Sequence, residues 1–124
     1  MAHILVIDDE RNVRESLSQA LERTGHRVSL ATNGNEGLAE LQASRPDLVI
    51  TDILMPEKEG METIMEIHRE WPEMRIIAIS GGGRMSNMTF LDAAQKLGAT
   101  MVLKKPFSVH ELLEAVSQCL GEAA

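Results

Sequence analysis

Asp8 and Asp9 stand side by side after the apolar run Ile4–Ile7, and Asp52 lies two residues beyond Leu48–Ile50. Ser80 closes Ile76–Ile79, and Lys104 and Lys105 close Met101–Leu103. These are the components of a phosphoryl-transfer site: hard oxygen ligands, a nucleophile, and a cation for the charge on the group in transit. Carboxylates crowded together repel one another, and at neutral pH a hard divalent cation relieves that repulsion better than protonation does. Oxygen-only ligands with room for waters favour Mg²⁺. In this reading Asp9 and Asp52 hold the ion, and Asp8 acts mostly through metal-bound water. Asp52 attacks phosphorus to form an acyl phosphate, Lys105 pairs with a phosphoryl oxygen, and Ser80 donates a hydrogen bond.

Taken singly, each residue has a plainer explanation. An Asp pair after a strand often caps a helix, a Ser before "GGGR" suits a loop, and Lys-Pro marks a turn. The inference rests on their joint position, each at the end of a run that reads as a strand.

Those runs must then be brought together. Ile4–Ile7, Val28–Ala31, Leu48–Ile50, Ile76–Ile79 and Met101–Leu103 alternate with stretches whose apolar residues recur every three or four positions. Val13, Leu17, Ala20 and Leu21 form the first helical stripe, with Gly25 as its stop. Leu38 and Leu41 mark a weaker second stripe, because Gly34 and Gly37 lower helix propensity. The third is Met61, Ile64, Met65, His68 and Trp71, closed by Pro72, so Met61 and Met65 are expected in the core. Phe90, Leu91, Ala94 and Leu97 form the fourth, ended by Gly98. Val109, Leu112, Leu113, Val116 and Leu120 form the fifth, opened by a capping box of Ser108 and Glu111.

Five strand-then-helix units predict an α/β fold, a doubly wound parallel sheet with helices on both faces. Strands 1, 3 and 4 are apolar throughout, as central strands are, whereas "HRVSLA" alternates and "TMVLK" is short and basic, as edges are. The expected arrangement is the flavodoxin-like (βα)5 order 2-1-3-4-5, in which ligands bind beyond the carboxyl ends of the strands. That rule gathers the polar residues on one surface.

The bulk composition bounds the rest. A chain of 124 residues suits a single domain, 1–124, and the short tail "GEAA" leads to no expected output domain. A net charge of −7 argues against a nucleic-acid surface, which needs clustered Lys and Arg. One cysteine, Cys119, forms no internal disulfide and is expected to be a small buried hydrophobe, so a cytoplasmic setting is expected. No apolar run approaches a membrane span, and no signal-peptide pattern opens the chain. The four histidines are too scattered for a metal site, so a phosphoryl-donor histidine should belong to a partner.

With "DD" at 8–9, "DILMPEKEG" from Asp52 to Gly60, Ser80 after an apolar strand and "KPF" at 105–107, the chain resembles the receiver domains of two-component response regulators. The resemblance implies that Asp52 is the phosphoacceptor for a histidine kinase or histidine phosphotransferase. It implies that Asp8, Asp9 and Asp52, with the backbone carbonyl of Leu54, bind Mg²⁺. Ser80 becomes the switch hydroxyl, and Lys105 rather than Lys104 the partner of the phosphoryl group, because it directly precedes proline. It also implies a cis bond at Lys105–Pro106 and a downstream protein that reads the face made by helix 4, strand 5 and helix 5. Such a module is not an enzyme acting on other molecules. It catalyses its own phosphorylation and slow dephosphorylation.

Three departures qualify the resemblance. Val102 stands where the family often has an aromatic residue that reports phosphorylation. "SGGGRMSNM" is a glycine-rich loop, expected to order when Ser80 is drawn to the phosphoryl group. It lacks the Gly-Lys-Ser/Thr of a P-loop. Leu54 and Gly82 border the path of attacking water and cannot orient it, so self-dephosphorylation should be slow. Alternative readings are a receiver cut from a longer regulator, and an Asp-nucleophile phosphatase of the haloacid dehalogenase type. The phosphatase needs a second Asp two positions on, where Leu54 sits. A flavin site fails because "DDERN" would repel the ligand's phosphate.

Overall fold

In the computed structural model, which describes residues 2–53, 60–80, 96, 98–104 and 107–121 (the side chains of 60, 61 and 80 excepted), the apolar runs all become strands. The elements are β1 (His3–Ile7), α1 (Arg11–Arg23), β2 (Arg27–Ala31), α2 (Gly34–Ser44), β3 (Leu48–Asp52), α3 (Gly60–Glu70), β4 (Arg75–Ser80), β5 (Met101–Lys104) and α4 (Val109–Leu120). Helix α4 is the fifth helical stretch of the sequence. The fourth, Phe90 to Leu97, lies outside the described residues apart from Lys96. The strands form one parallel sheet in the order β2-β1-β3-β4-β5, as expected from which runs were apolar and which alternated.

Strand side chains alternate between faces, and here both faces are covered. Ile4, Val6, Leu48, Ile50, Ile77 and Ile79 pack with Leu17, Ala20 and Leu21 of α1 and Leu112, Ala115, Val116 and Cys119 of α4. Leu5, Ile7, Val49, Ile76 and Ala78 pack on the other face with Leu41 of α2 and Ile64 and Ile67 of α3. That two-sided burial is why β1, β3 and β4 carry no polar alternation until they reach their carboxyl ends. Cys119 is buried as expected; burial pushes its thiol pKa up, opposed only in part by the charge of Arg75.

Two helical stripes differ from the sequence reading. On α3 the buried side is Thr63, Ile64 and Ile67, while Met65 is 47% exposed and His68 is exposed. The apolar stripe is rotated because the hydroxyl of Thr63 is taken into the interior, and the flexible Met65 remains outside. Met61 lies outside the described side chains. On α4, Val109 is 59% exposed, and Ala115 and Cys119 complete the buried face instead. The capping box of Ser108 and Glu111 is present in both directions.

The chain turns where glycine permits positive φ, at Gly25 (φ 90°) after α1 and at Gly98 (φ 134°) before β5. Gly37 has a different reason. A Cβ there would overlap Cδ1 of fully buried Ile7 and sit 2.9 Å from its Cγ1, so a residue poor in helix propensity lets α2 lie close on β1. Asn33 offsets that weakness by capping α2, its side chain accepting from the Glu36 amide at 2.9 Å. No described helix is long and apolar enough to cross a membrane.

Gly37→Ala therefore tests packing against propensity. Alanine gains about 1 kcal/mol of helix propensity, but overpacking against Ile7 costs about 1–3 kcal/mol. Urea denaturation should show net destabilisation, and a variant more stable than wild type would contradict the close approach of α2 to β1.

Candidate functional site

The carboxyl edge of the sheet collects the acids because the ladders place them level with one another. Ile7 is in register with Thr51, so Asp8 and Asp52 continue neighbouring strands to the same height. The ladder holds beyond the strands: the Asp8 amide donates to the Ala31 carbonyl at 3.1 Å, and the Ile53 amide to the Ile79 carbonyl at 3.0 Å. Asp8 and Asp52 are 1% and 5% exposed, whereas Asp9 faces solvent. One carboxylate oxygen from each of the three lies within 4.8 Å of the others.

That donor set fits a hard cation. An octahedral Mg²⁺ spans about 4 Å between opposite oxygen ligands, so three oxygens this close can share one ion with little movement. Two buried carboxylates and one exposed one leave an open side for water or substrate oxygens. Neither aspartate of the pair caps α1. The N-cap is Glu10, which makes no side-chain cap, and the Glu10 amide donates to Asp8 Oδ1 at 2.9 Å. The bond closes the β1–α1 turn and orients one oxygen of Asp8.

Ser80 ends β4, one residue beyond the register partner of Asp52, and pairs with Lys104 of β5. Lys104 is exposed, and Lys105 is the next residue in the chain. The side chain of Ser80, Lys105 and its bond to Pro106, the Leu54 carbonyl, Gly82 and the glycine-rich loop lie outside the described residues. Val102 is partly buried against the α2/α3 face of the sheet.

Arg14, bonded to Asp8, and Glu36 of α2 were not singled out in the sequence. Arg14, on the first turn of α1, donates from Nη1 to the Asp8 carbonyl at 2.7 Å and is half-buried. Its signal was available: a basic residue at the helix end that favours anions. Glu36 accepts from the Thr32 amide at 2.8 Å and the Thr32 hydroxyl at 2.7 Å, and those bonds, the amide first, hold its carboxyl below the usual glutamate range.

Comparison with known proteins agrees with this geometry. The family profile "Response regulator receiver domain" matches residues 4–117. The transcriptional regulator NtrC of Azospirillum brasilense is 38% identical over 120 residues, covering 97% of this chain and 24% of that protein. Response regulator MprA of Mycolicibacterium vanbaalenii is 38% identical over 111 residues, covering 89% of this chain and 46% of that protein. This chain thus spans about a quarter to a half of the length of these relatives. Among solved structures, the receiver domain of NtrX from Brucella abortus superposes with a TM-score of 0.89 at 30% identity, covering 97% of this chain and 99% of that one.

If repulsion among the three acids is real, removing one charge should stabilise the metal-free protein. Asp52→Asn should raise unfolding stability in the absence of divalent cations by about 1 kcal/mol, the scale of a unit-charge pair about 4 Å apart in high dielectric. Added MgCl₂ should stabilise wild type more than the variant. A wild-type denaturation midpoint indifferent to MgCl₂ would contradict the metal reading.

Proposed function

The chain belongs to the response regulator receiver domain family, and from that premise we propose that Asp52 accepts a phosphoryl group from a histidine kinase or histidine phosphotransferase, with Mg²⁺ held by Asp8, Asp9 and Asp52. The supporting observation is the convergence of those three carboxylates at the carboxyl edge, with Asp52 on the central strand β3. Residues 1–124 are read as one receiver unit.

In the transfer, an Asp52 oxygen forms a bond to phosphorus as the bond from phosphorus to the donor's imidazole nitrogen breaks, and the electron pair returns to the imidazole. Burial of Asp52 at 5% exposure limits the water that competes for the same phosphorus. The backbone on either side of Asp52 is held: Thr51 and Asp52 lie in ladders on β3, and the Thr51 hydroxyl donates to the Asp52 carbonyl at 3.1 Å. Bound Mg²⁺ supplies charge neutralisation to the phosphoryl oxygens, and the Leu54 carbonyl joins its ligand set in this reading. Lys105 takes the opposite side of the phosphoryl group, and Ser80 donates to it.

Phosphorylation adds about two negative charges and shifts a pre-existing equilibrium of the domain. The output passes to a downstream protein through the face of the fourth helical stretch, β5 and α4, in a cytoplasmic setting without direct nucleic-acid binding by this domain. With Leu54 two residues beyond Asp52, the position where the phosphatase needs its second Asp carries no carboxylate.

Incubation with acetyl phosphate and MgCl₂ followed by intact mass measurement should show one added, hydroxylamine-labile phosphoryl group, absent from Asp52→Asn. An unchanged adduct in Asp52→Asn would move the acceptor elsewhere. The same samples, chased without donor, should keep the group for minutes or longer, and a half-life of seconds would contradict the slow-hydrolysis argument from Leu54 and Gly82.

A further inference from the structure

Helix α1 breaks a local rule at its start. Its first turn holds no acidic residue and its N-cap makes no side-chain bond, yet Arg11 and Arg14 both stand there, at the positive end of the helix dipole. Arg11 has an ordinary explanation, an exposed i,i+4 pair with Glu15 at 3.0 Å. Arg14 has none of that kind. It is half-buried, and its Nη1 donates at 2.7 Å to a backbone carbonyl, that of Asp8. A cation placed against the dipole needs a compensating interaction, and such violations gather at functional sites.

The Asp8 carbonyl is the pivot of the acid pair. The peptide that carries it continues into Asp9, and the following amide, that of Glu10, donates to Asp8 Oδ1 at 2.9 Å. The turn is therefore pinned twice, by Arg14 at the carbonyl and by the Glu10 amide at the carboxylate. Without a pin, mutual repulsion would spread the three carboxylates in the metal-free protein, and binding an ion would have to draw them together again. We propose that Arg14 is a positioning residue that holds the Asp8–Asp9 turn in its metal-competent geometry, so that the site binds Mg²⁺ without first being rebuilt. This deepens the proposed function and rests on it for the identity of the ion.

The guanidinium charge would by itself disfavour a nearby divalent cation. It is partly exposed, so solvent screens its repulsion. A charge-assisted hydrogen bond to a fixed acceptor is a stronger local effect. The Arg14 charge also reaches Glu36 on α2, where it adds to the Thr32 bonds in favouring the carboxylate.

The test compares Arg14→Met, which loses donor and charge, with Arg14→Lys, which keeps the charge and one donor. Mg²⁺ affinity is measured by calorimetry with the unphosphorylated protein, and phosphorylation from acetyl phosphate is followed across a Mg²⁺ series. Arg14→Met should weaken Mg²⁺ binding about tenfold, the effect of losing about 1.4 kcal/mol, while its rate at saturating Mg²⁺ stays near that of wild type. Arg14→Lys should recover most of the affinity, and amide exchange at Glu10 should speed up in Arg14→Met alone. Unchanged or tighter Mg²⁺ binding in Arg14→Met overturns the proposal, as does a maximal rate that falls with affinity unchanged. If Arg14→Met does not fold, Arg14→Ala, which also removes donor and charge, replaces it with the same two criteria. Wild type that binds Mg²⁺ but gains no phosphoryl group would refute the proposed function while leaving the Arg14 comparison decisive.

Discussion

Like charges set the problem that the rest of the molecule answers. Three carboxylates are held with oxygens within 4.8 Å of one another, two of them almost removed from water. Such an arrangement survives only if the chain around it is too well fixed to let the charges part. Parallel strands supply that fixity, because each acid extends a ladder whose register is set several residues earlier by buried Ile, Leu and Val side chains. A one-residue slip in any strand would turn those side chains to the wrong face. The position of the acids is thus specified by the core.

The same constraint explains the helices' irregularities. Helix α2 keeps Gly37 where a better helix former would strike Ile7, the residue immediately before Asp8. Helix α1 keeps an arginine in its first turn, and its N-terminal turn is closed by the Asp8 carboxylate through the Glu10 amide, with no cap from Glu10 itself. Both features weaken a helix taken alone, and both lie against the end of β1. By contrast α4 has a complete capping box and a left-handed Gly121 to end it. Where nothing else competes, local rules are obeyed.

This contrast also explains what could be read from the sequence. Strand order followed from which runs were apolar throughout, because burial on both faces leaves no room for alternation. Asp8, Asp9 and Asp52 were legible because carboxylates at the ends of such runs have no place in a core. The phase of α3 was misread, since Met65 counts as apolar in any pattern while Thr63 counts as polar, and only the fold shows that Thr63 is enclosed and Met65 is not. Arg14 was missed for a related reason. Its role lies in a bond to a backbone carbonyl, which leaves no mark in residue spacing, and its one clue was a sign error against the helix dipole.

The opposite edge of the sheet shows how a carboxylate behaves when it serves structure alone. Asp47 precedes β3 and accepts from the His3 amide at 2.8 Å, while its own amide donates to the His3 carbonyl at 2.7 Å. Nearby, the Arg27 amide donates to the Ala2 carbonyl at 2.9 Å, and Thr100 bonds Ile76 through both its amide and its hydroxyl, at 2.7 and 3.1 Å. These bonds tie the strands together at their starts, with each acid or hydroxyl spent on a backbone partner. At the carboxyl edge three acids also come within 4.8 Å of one another through one oxygen each. A sheet cross-linked at its amino edge can tolerate concentrated charge at the other, because the strands cannot splay from the base. Repulsion that would otherwise unfold the edge is held there, available to whatever cation enters.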